Sequence, residues 1–318
     1  MDLPLSSSLD KPDIKTEIKN CARRLGFDAC GMARACRVDD NAVLSYDNWI
    51  AGGHNDCMEY AARYMDVRND PRLLLDGAQT VISVAINYMP LARQHPDVPQ
   101  FSLYAYGRDY HEVVKKRLFE LAAFIKELTG HESRPCVDTA PIRERYWAQQ
   151  AGIGFTGRNN MLIIPGKGSF FFLGELVTTL PLKPDKPCSL TCGDCHWCEK
   201  SCPGGALHGG LPLDARRCLS CQLIECRGQL PEWVAEKIGN RVYGCDTCQL
   251  VCPHNANAVA TAISEFAPSP EFMELDMEKI EQMTPGDFRR LFGHSAVRRT
   301  RLDGLKRNLA AIKSQENK

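Results

Sequence analysis

Apolar positions recur at helical spacing over residues 13–25 and stop at Gly26, which predicts a helix closed by a glycine. The segment 27–32 is short and fits a strand. Thr80–Asn87 (TVISVAIN) is rich in β-branched residues and bounded by turns, the pattern of a buried strand. Residues 109–128 have the periodicity of a long amphipathic helix, with Gly130 just past its end. Residues 134–137 read as a strand end and 142–151 as a helix. Residues 161–165 and 169–180 resemble the two arms of a hairpin around Pro165-Gly166-Lys167-Gly168. Helices alternating with strands in this way predict an α/β domain over residues 1–186.

The pattern changes at Pro181-Leu182-Lys183-Pro184-Asp185-Lys186-Pro187. Beyond this boundary, residues 187–258 hold cysteines, short helical pieces and turns. A second connector, Phe266-Ala267-Pro268-Ser269-Pro270, falls within a helical segment, 259–318. There Thr284-Pro285-Gly286-Asp287 places Thr at an N-cap, Pro at the first helical position and an acid in the first turn.

Composition adds limits. At about 150 residues per domain, 318 residues suggest two domains. Lys+Arg and Asp+Glu both number 39, so net charge names no partner. The start of the chain, 1–11, is polar and lacks the apolar core of a secretory signal. The most apolar stretch, 170–182, contains Glu175 and is too short to span a bilayer. These features predict a soluble, cytoplasmic protein with no membrane partner.

Sixteen cysteines change the picture, because eleven of them lie between Cys188 and Cys252. In a long chain without a signal they point to metal ligation rather than disulfides. Cys192, Cys195, Cys198 and Cys202 stand at C-x2-C-x2-C-x3-C before Pro203, the run that holds [4Fe–4S] clusters. In that run three thiolates hold one cubane and the fourth reaches the other. Cys245, Cys248 and Cys252, before Pro253, repeat its ending without its first cysteine. Cys218 is placed to supply the missing ligand, with Cys221 and Cys226 as nearby competitors. Eight ligands then close two clusters: Cys192, Cys195, Cys198 and Cys252 for one, Cys202, Cys218, Cys245 and Cys248 for the other. Paired C-x2-C motifs also bind zinc, but a three-cysteine row with a fourth before Pro is rare in zinc sites. Cys21, Cys30, Cys36, Cys57 and Cys136 are expected to pack as small apolar residues.

Longer motifs then carry a resemblance. Val137-Asp138-Thr139-Ala140-Pro141, Glu144-Arg145-Tyr146-Trp147-Ala148 and Ala151-Gly152-Ile153-Gly154-Phe155-Thr156-Gly157-Arg158-Asn159 are similar to epoxyqueuosine reductases. So are Phe171-Phe172-Leu173-Gly174-Glu175, Asp214-Ala215-Arg216-Arg217-Cys218 and Gly239-Asn240-Arg241-Val242-Tyr243-Gly244-Cys245, with 295–304 (SAVRRTRLDG) near the end. The motifs run in order from about residue 13 to 312. The resemblance implies a nitroreductase-like α/β (α+β) domain joined to a ferredoxin-like two-cluster domain, with cobalamin between them. It implies reduction of epoxyqueuosine to queuosine at the tRNA wobble base. Longer relatives add a helical-repeat module, so the chain resembles the short form.

By the same resemblance Asp138 matches the proton donor; on its own it reads as a cap for the helix after Pro141. An acid working near neutral pH is expected to have its pKa raised by burial. Arg158 and Asn159 occupy the turn where the family has Gly-Lys-Asn. With Asp138, Ser220, Asp246, Tyr60 and Arg63 they are the candidate cobalamin contacts. The family's Cys-x-Ser-Tyr is here Cys218-Leu219-Ser220-Cys221, so a cysteine replaces the usual aromatic. Arg289, Arg290, Arg298, Arg299, Arg301, Lys306 and Arg307 lie within twenty residues and suit tRNA phosphates. The electrons are expected from a low-potential donor of the ferredoxin or flavodoxin kind. A reductive dehalogenase-like cobalamin enzyme and a di-cluster electron carrier are the alternatives; the first usually carries a twin-arginine signal, and the second needs no Asp138.

Overall fold

The structure, a computed structural model, describes residues 13–207 and 213–316; the polar stretch 1–11 lies outside them. Helix α1 (Ile14–Arg24) ends before Gly26, whose φ of 90° redirects the chain into β1 (Ala29–Arg34). Two helices that periodicity did not announce come next, α2 (Asp40–Ala51) and α3 (Met65–Asn69). The Asp39 carboxylate starts α2 by accepting the Ala42 N–H. Strand β2 (Thr80–Asn87) is buried at every position, and the short β3 (Gln100–Phe101) follows.

Helix α4 (Tyr110–Thr129) is capped by Asp109, and Gly130 ends it in the left-handed conformation. It buries Val113, Val114, Leu118, Leu121 and Ile125. Each such side chain contributes roughly 1.5–3 kcal/mol, against about 1 kcal/mol for a cap. Packing therefore holds this helix more than its capping does. The first part of the chain is completed by β4 (Ser133–Cys136), α5 (Glu144–Gln150), β5 (Phe155–Thr156), β6 (Leu162–Ile163) and β7 (Phe171–Thr178).

The main sheet has the order β1-β2-β7-β4, with every neighbouring pair antiparallel. The alternation of helices and strands therefore does not build the parallel sheet of an α/β domain; the layer is of the α+β kind. Ile82, Val84 and Ile86 face the core shared with α1 and α4, while Val81 and Ala85 face Trp147, Ala148 and Ala151 of the α5 side. That period of two is what places a helix layer on each face. At Gly31 a Cβ would lie 2.1 Å from the Ala151 carbonyl oxygen, so the end of α5 rests directly on β1.

The predicted hairpin is corrected as well. Its turn forms, closed by a bridge between Ile164 and Gly168, but β6 pairs with β5, and β7 pairs with β2 and β4. An eight-residue, mostly apolar strand buries more between the eight-residue β2 and the four-residue β4 than beside the two-residue β6.

The cysteine-bearing part is made of α6 (Trp197–Ser201), α7 (Leu219–Ile224), α8 (Glu232–Lys237), β8 (Arg241–Tyr243) and α9 (Thr247–Leu250). The tail follows as α10 (Pro270–Met273), α11 (Met277–Gln282), α12 (Pro285–Phe292) and α13 (Arg301–Glu316). Thr284 and Asp287 close the predicted capping box on α12. β8 runs parallel to β3, and the Asn308 amide of α13 donates to the carbonyls of Leu223 and Val242. One apolar cluster contains Leu118, Leu223, Val242, Phe292 and Leu305, so all three parts of the chain share a core. No described helix is long and apolar enough to cross a membrane.

Candidate active site

Short helices and tight turns gather the cysteines. Cys192, Cys195, Cys198 and Cys252 line one cavity together with Arg158, Asn159 and Pro253. The Cys195 N–H donates to the Cys192 carbonyl at 3.2 Å, which folds the first two cysteines into one turn. The Arg158 N–H points at the Cys192 sulfur, 3.5 Å away. Cys202, Cys218, Cys245 and Cys248 form a second nest, close enough that their charges act on one another. The Ala206 N–H donates to the Cys202 sulfur at 3.2 Å, and the Ser220 and Cys221 N–H groups face Cys218. N–H groups aimed at sulfur favour thiolates over thiols, and eight sulfurs in two groups of four suit two cubane clusters.

The competitors of Cys218 go elsewhere. Cys221 and Cys226 meet Asp56, and Cys226 is joined to Cys57 as a disulfide. The expectation that Cys57 packs as an isolated apolar residue is thereby corrected. The reason is tertiary: the loop after α2 lies against α7, bringing together cysteines 169 positions apart.

Asp138 sits two residues beyond β4 with a φ of 38°, an unfavourable conformation for a residue with a side chain. It does not cap α5. Its own N–H donates to the Glu144 carboxylate at 2.7 Å, and its carboxylate meets His111 Nε2 at 2.9 Å. The other imidazole nitrogen, Nδ1, lies 2.7 Å from Asp109. Asp109 is almost fully buried and pairs with Arg298 at 3.0 Å. Burial alone would discharge His111, but the hydrogen bonds and charges of Asp109 and Asp138 outweigh it, and its pKa rises to about 9.

The raised pKa expected of Asp138 is not found. Burial pushes it up, but the hydrogen bond and charge of His111, with Tyr110 and Arg299, hold it below the usual carboxylate value. The elevated acid is its neighbour. Glu144 is pushed up to about 8, by burial first and the Asp138 charge second. Behind it in the sheet, Glu175 is fully buried and is also raised, by burial and then by Glu144.

The other candidates are placed unequally. The buried Nε of Arg158 has no hydrogen-bond partner among the described residues, while its guanidinium reaches the Gly193 carbonyl and Glu199. The Asn159 amide donates to the Cys248 carbonyl at 3.4 Å and so links the turn at 157–160 to the second nest. Tyr60 is partly exposed, lies under the Arg299 guanidinium and feels the Asp138 charge. Arg63 is turned outward to Glu59 at 3.9 Å, away from this group. Asp246 is occupied, accepting from Ser102 Oγ and from the Leu103 N–H, and so pins the second nest to the segment before α4.

No motif marks Asp109 and His111; their only sequence signal is a cap residue and a histidine two positions later at the start of the periodic helix α4. The basic cluster is not one free face either. Arg290 pairs with Glu271, Arg298 with Asp109 and Arg299 with Glu225, and Arg307 binds the carbonyls of Gln222 and Cys226. Arg289 and Arg301 are exposed and have no ion pair among the described residues.

A simple carrier of electrons needs the two thiol nests but has no use for an acid–imidazole–acid chain running from a buried to a half-exposed carboxylate. The pairing of the two makes this an iron–sulfur oxidoreductase. Residues 191–255 match the 4Fe-4S double cluster binding domain, and residues 68–139 match the family described as "Epoxyqueuosine reductase QueG, DUF1730". The epoxyqueuosine reductase of Leadbetterella byssophila is 39% identical over 302 residues, covering 95% of this chain and 99% of that one. The chain belongs to the epoxyqueuosine reductase family. A crystal structure of an epoxyqueuosine reductase with an epoxyqueuosine-modified tRNA-Tyr stem loop is 31% identical, with a TM-score of 0.85, covering 94% of this chain and 80% of that one. The Bacillus subtilis enzyme, in a structure whose catalytic aspartate loop is swung out of the active site, is 29% identical, with a TM-score of 0.84; the match covers 94% of this chain and 80% of that one.

Proposed function

We propose that this chain reduces epoxyqueuosine to queuosine at the wobble position of tRNA, with Asp138 delivering the proton to the leaving oxygen. The reaction converts an epoxide to an alkene, consumes two electrons and two protons, and releases water. The observation that carries the assignment is the chain Asp109–His111–Asp138, whose outer carboxylate is half exposed, with 50% of its side chain accessible. With its pKa at about 9, His111 is an imidazolium at neutral pH and donates to both carboxylates. As the C–O bond breaks, the developing alkoxide is far more basic than a carboxylate. It draws a proton through Asp138, and His111 recharges the acid. Asp109, buried and paired with Arg298, holds the imidazole in place. Glu144 fixes the loop by accepting the Asp138 N–H.

The eight thiols of the two nests are the proposed cluster ligands: Cys192, Cys195, Cys198 and Cys252 for one, Cys202, Cys218, Cys245 and Cys248 for the other. Cobalamin, when bound, supplies the low-potential electrons that cleave the C–O bond. The residues fit such a group in one respect that can be checked: Arg158 presents a buried, unpartnered Nε, a donor suited to the amide-rich rim of a corrin. Tyr60, Arg158 and Asn159 of a nitroreductase-like domain, with Ser220 from the two-cluster part, are the proposed contacts; Arg63 and Asp246 are engaged elsewhere. The proposed units are 1–186, 187–258 and 259–318. The cytoplasm, with a ferredoxin- or flavodoxin-like donor, is the proposed setting. The Asp138 chain disfavours a bare di-cluster carrier.

The test is nucleoside chromatography of epoxyqueuosine-containing tRNA after anaerobic reaction with protein reconstituted with iron, sulfide and cobalamin. Wild type should form queuosine. Asp138→Asn, with full iron and cobalamin, should lose roughly 10²–10⁴-fold in rate. A wild-type rate from that variant would overturn the assignment.

A further inference from the structure

Three cysteines remain that neither nest uses and that meet at one point. Cys221 stands on α7, Cys226 just beyond its end, and Cys57 in the loop after α2. The ligand atoms of Asp56, Cys221 and Cys226 all lie within 4.8 Å of one another. The Cys226 sulfur is 3.4 Å from Asp56 Oδ2 and is joined to the sulfur of Cys57. The surroundings are built rather than accidental. The amide of Gln222, a buried residue, donates to Asp56 Oδ2 at 2.5 Å and orients the carboxylate. The Cys57 N–H faces the Cys221 sulfur. Asp56 itself has a φ of 46°, a conformation side chains rarely adopt without a compensating contact. Ala215, Met58 and Cys218 wall the group on its apolar side.

We propose that, with Cys57 and Cys226 reduced, Asp56, Cys57, Cys221 and Cys226 bind one zinc ion, separate from the two clusters. A cell that keeps cubane clusters intact also keeps protein thiols reduced. Opening the Cys57–Cys226 bond takes two electrons and two protons from a cellular dithiol, which becomes a disulfide. Three thiols and one carboxylate then converge on one point. Hard cations such as magnesium and calcium require shells of oxygen, whereas three sulfurs and one oxygen suit tetrahedral zinc. Binding displaces the three thiol protons. A carboxylate held by a buried amide is the outer support such a site uses. The ion would tie the loop after α2 to α7, three residues from Tyr60 and three from Cys218. The inference rests on Cys218, not Cys221, serving the second cluster.

The experiment uses full-length protein with reconstituted clusters, reduced anaerobically, given one equivalent of zinc chloride and desalted against a weak chelator. Zinc and iron are counted by mass spectrometry, and the wild-type protein is read by X-ray absorption at the zinc edge. About one zinc should remain beside about eight irons, with three sulfurs at about 2.3 Å and one oxygen. Cys57→Ser, Cys221→Ala and Cys226→Ser should each cut retained zinc at least tenfold with iron unchanged. The proposal fails if reduced wild type keeps no zinc, if zinc remains in a variant carrying all three substitutions, or if the edge spectrum lacks three sulfurs. A fall to about four irons in Cys221→Ala would instead make Cys221 a cluster ligand, and would overturn it. The absorption measurement needs no variant, so a misfolded mutant does not leave the question open.

Discussion

The cysteine nests and the Asp138 loop are assembled on opposite plans. In the nests most ligands come from two short runs, 192–202 and 245–252, on turns and on the short helices α6 and α9. Around Asp138 the partners come from three separate parts of the chain: His111 and Tyr110 from α4, Glu144 from α5 and Arg299 from the tail. Cluster chemistry tolerates this locality because a cubane needs only four sulfurs at set distances. The proposed proton delivery instead draws on opposed charges from separate elements, His111 on α4 and Asp138 beyond β4. The difference implies that damage to a nest removes a cofactor, whereas damage to the loop changes a protonation state and leaves the cofactors bound.

The largest expected effect tests the nest side. Cys218→Ala should lower iron from about eight to about four per chain and abolish turnover. Iron analysis and the visible spectrum report it; full iron would return the ligand role to a neighbouring cysteine.

On the loop side, His111→Gln should leave iron and cobalamin bound and lower the rate roughly 10²-fold. Wild-type rate should fall as pH rises through about 9, where the imidazolium loses its proton, and the variant should lack that limb. Stability shares the sign. A folded pKa raised above the ordinary 6.5 gives stabilisation that is complete below pH 6.5 and lost as pH climbs through about 9. Pre-steady-state rates and anaerobic melting across pH 6–10 measure both. An unchanged pH profile would leave Asp138 acting without its partner.

The smallest effect concerns RNA. Arg298→Glu and Arg299→Glu would break the Asp109 and Glu225 pairs and so confuse site with surface. Arg289→Glu and Arg301→Glu avoid this. Each should reduce the salt dependence of tRNA binding by about one counterion without altering iron content. Identical slopes would place the phosphate contacts on another face.

The two-cluster domain and the positions of β2, α4 and the α12 cap are legible because each depends on spacing within short stretches. The role proposed for Asp138 comes from its family motif alone, and the raised pKa expected of it is not found. Burial was foreseen, but not His111, whose 27-residue separation from Asp138 is closed only by the packing of α4 against β4. The hairpin failed for a similar reason, as the partners of β7 were chosen by burial across the sheet rather than by the nearest turn.

By itself the sequence determined what local geometry controls: which thiols share a turn, where helices start and stop, and which family the motifs belong to. Only the tertiary structure decided what depends on distant groups meeting. It set the antiparallel order of the sheet, the low pKa of Asp138 beside a charged His111, and the separation of Cys221 and Cys226 from Cys218. Charge interactions and desolvation act through space, and the chain writes only the residues that will take part.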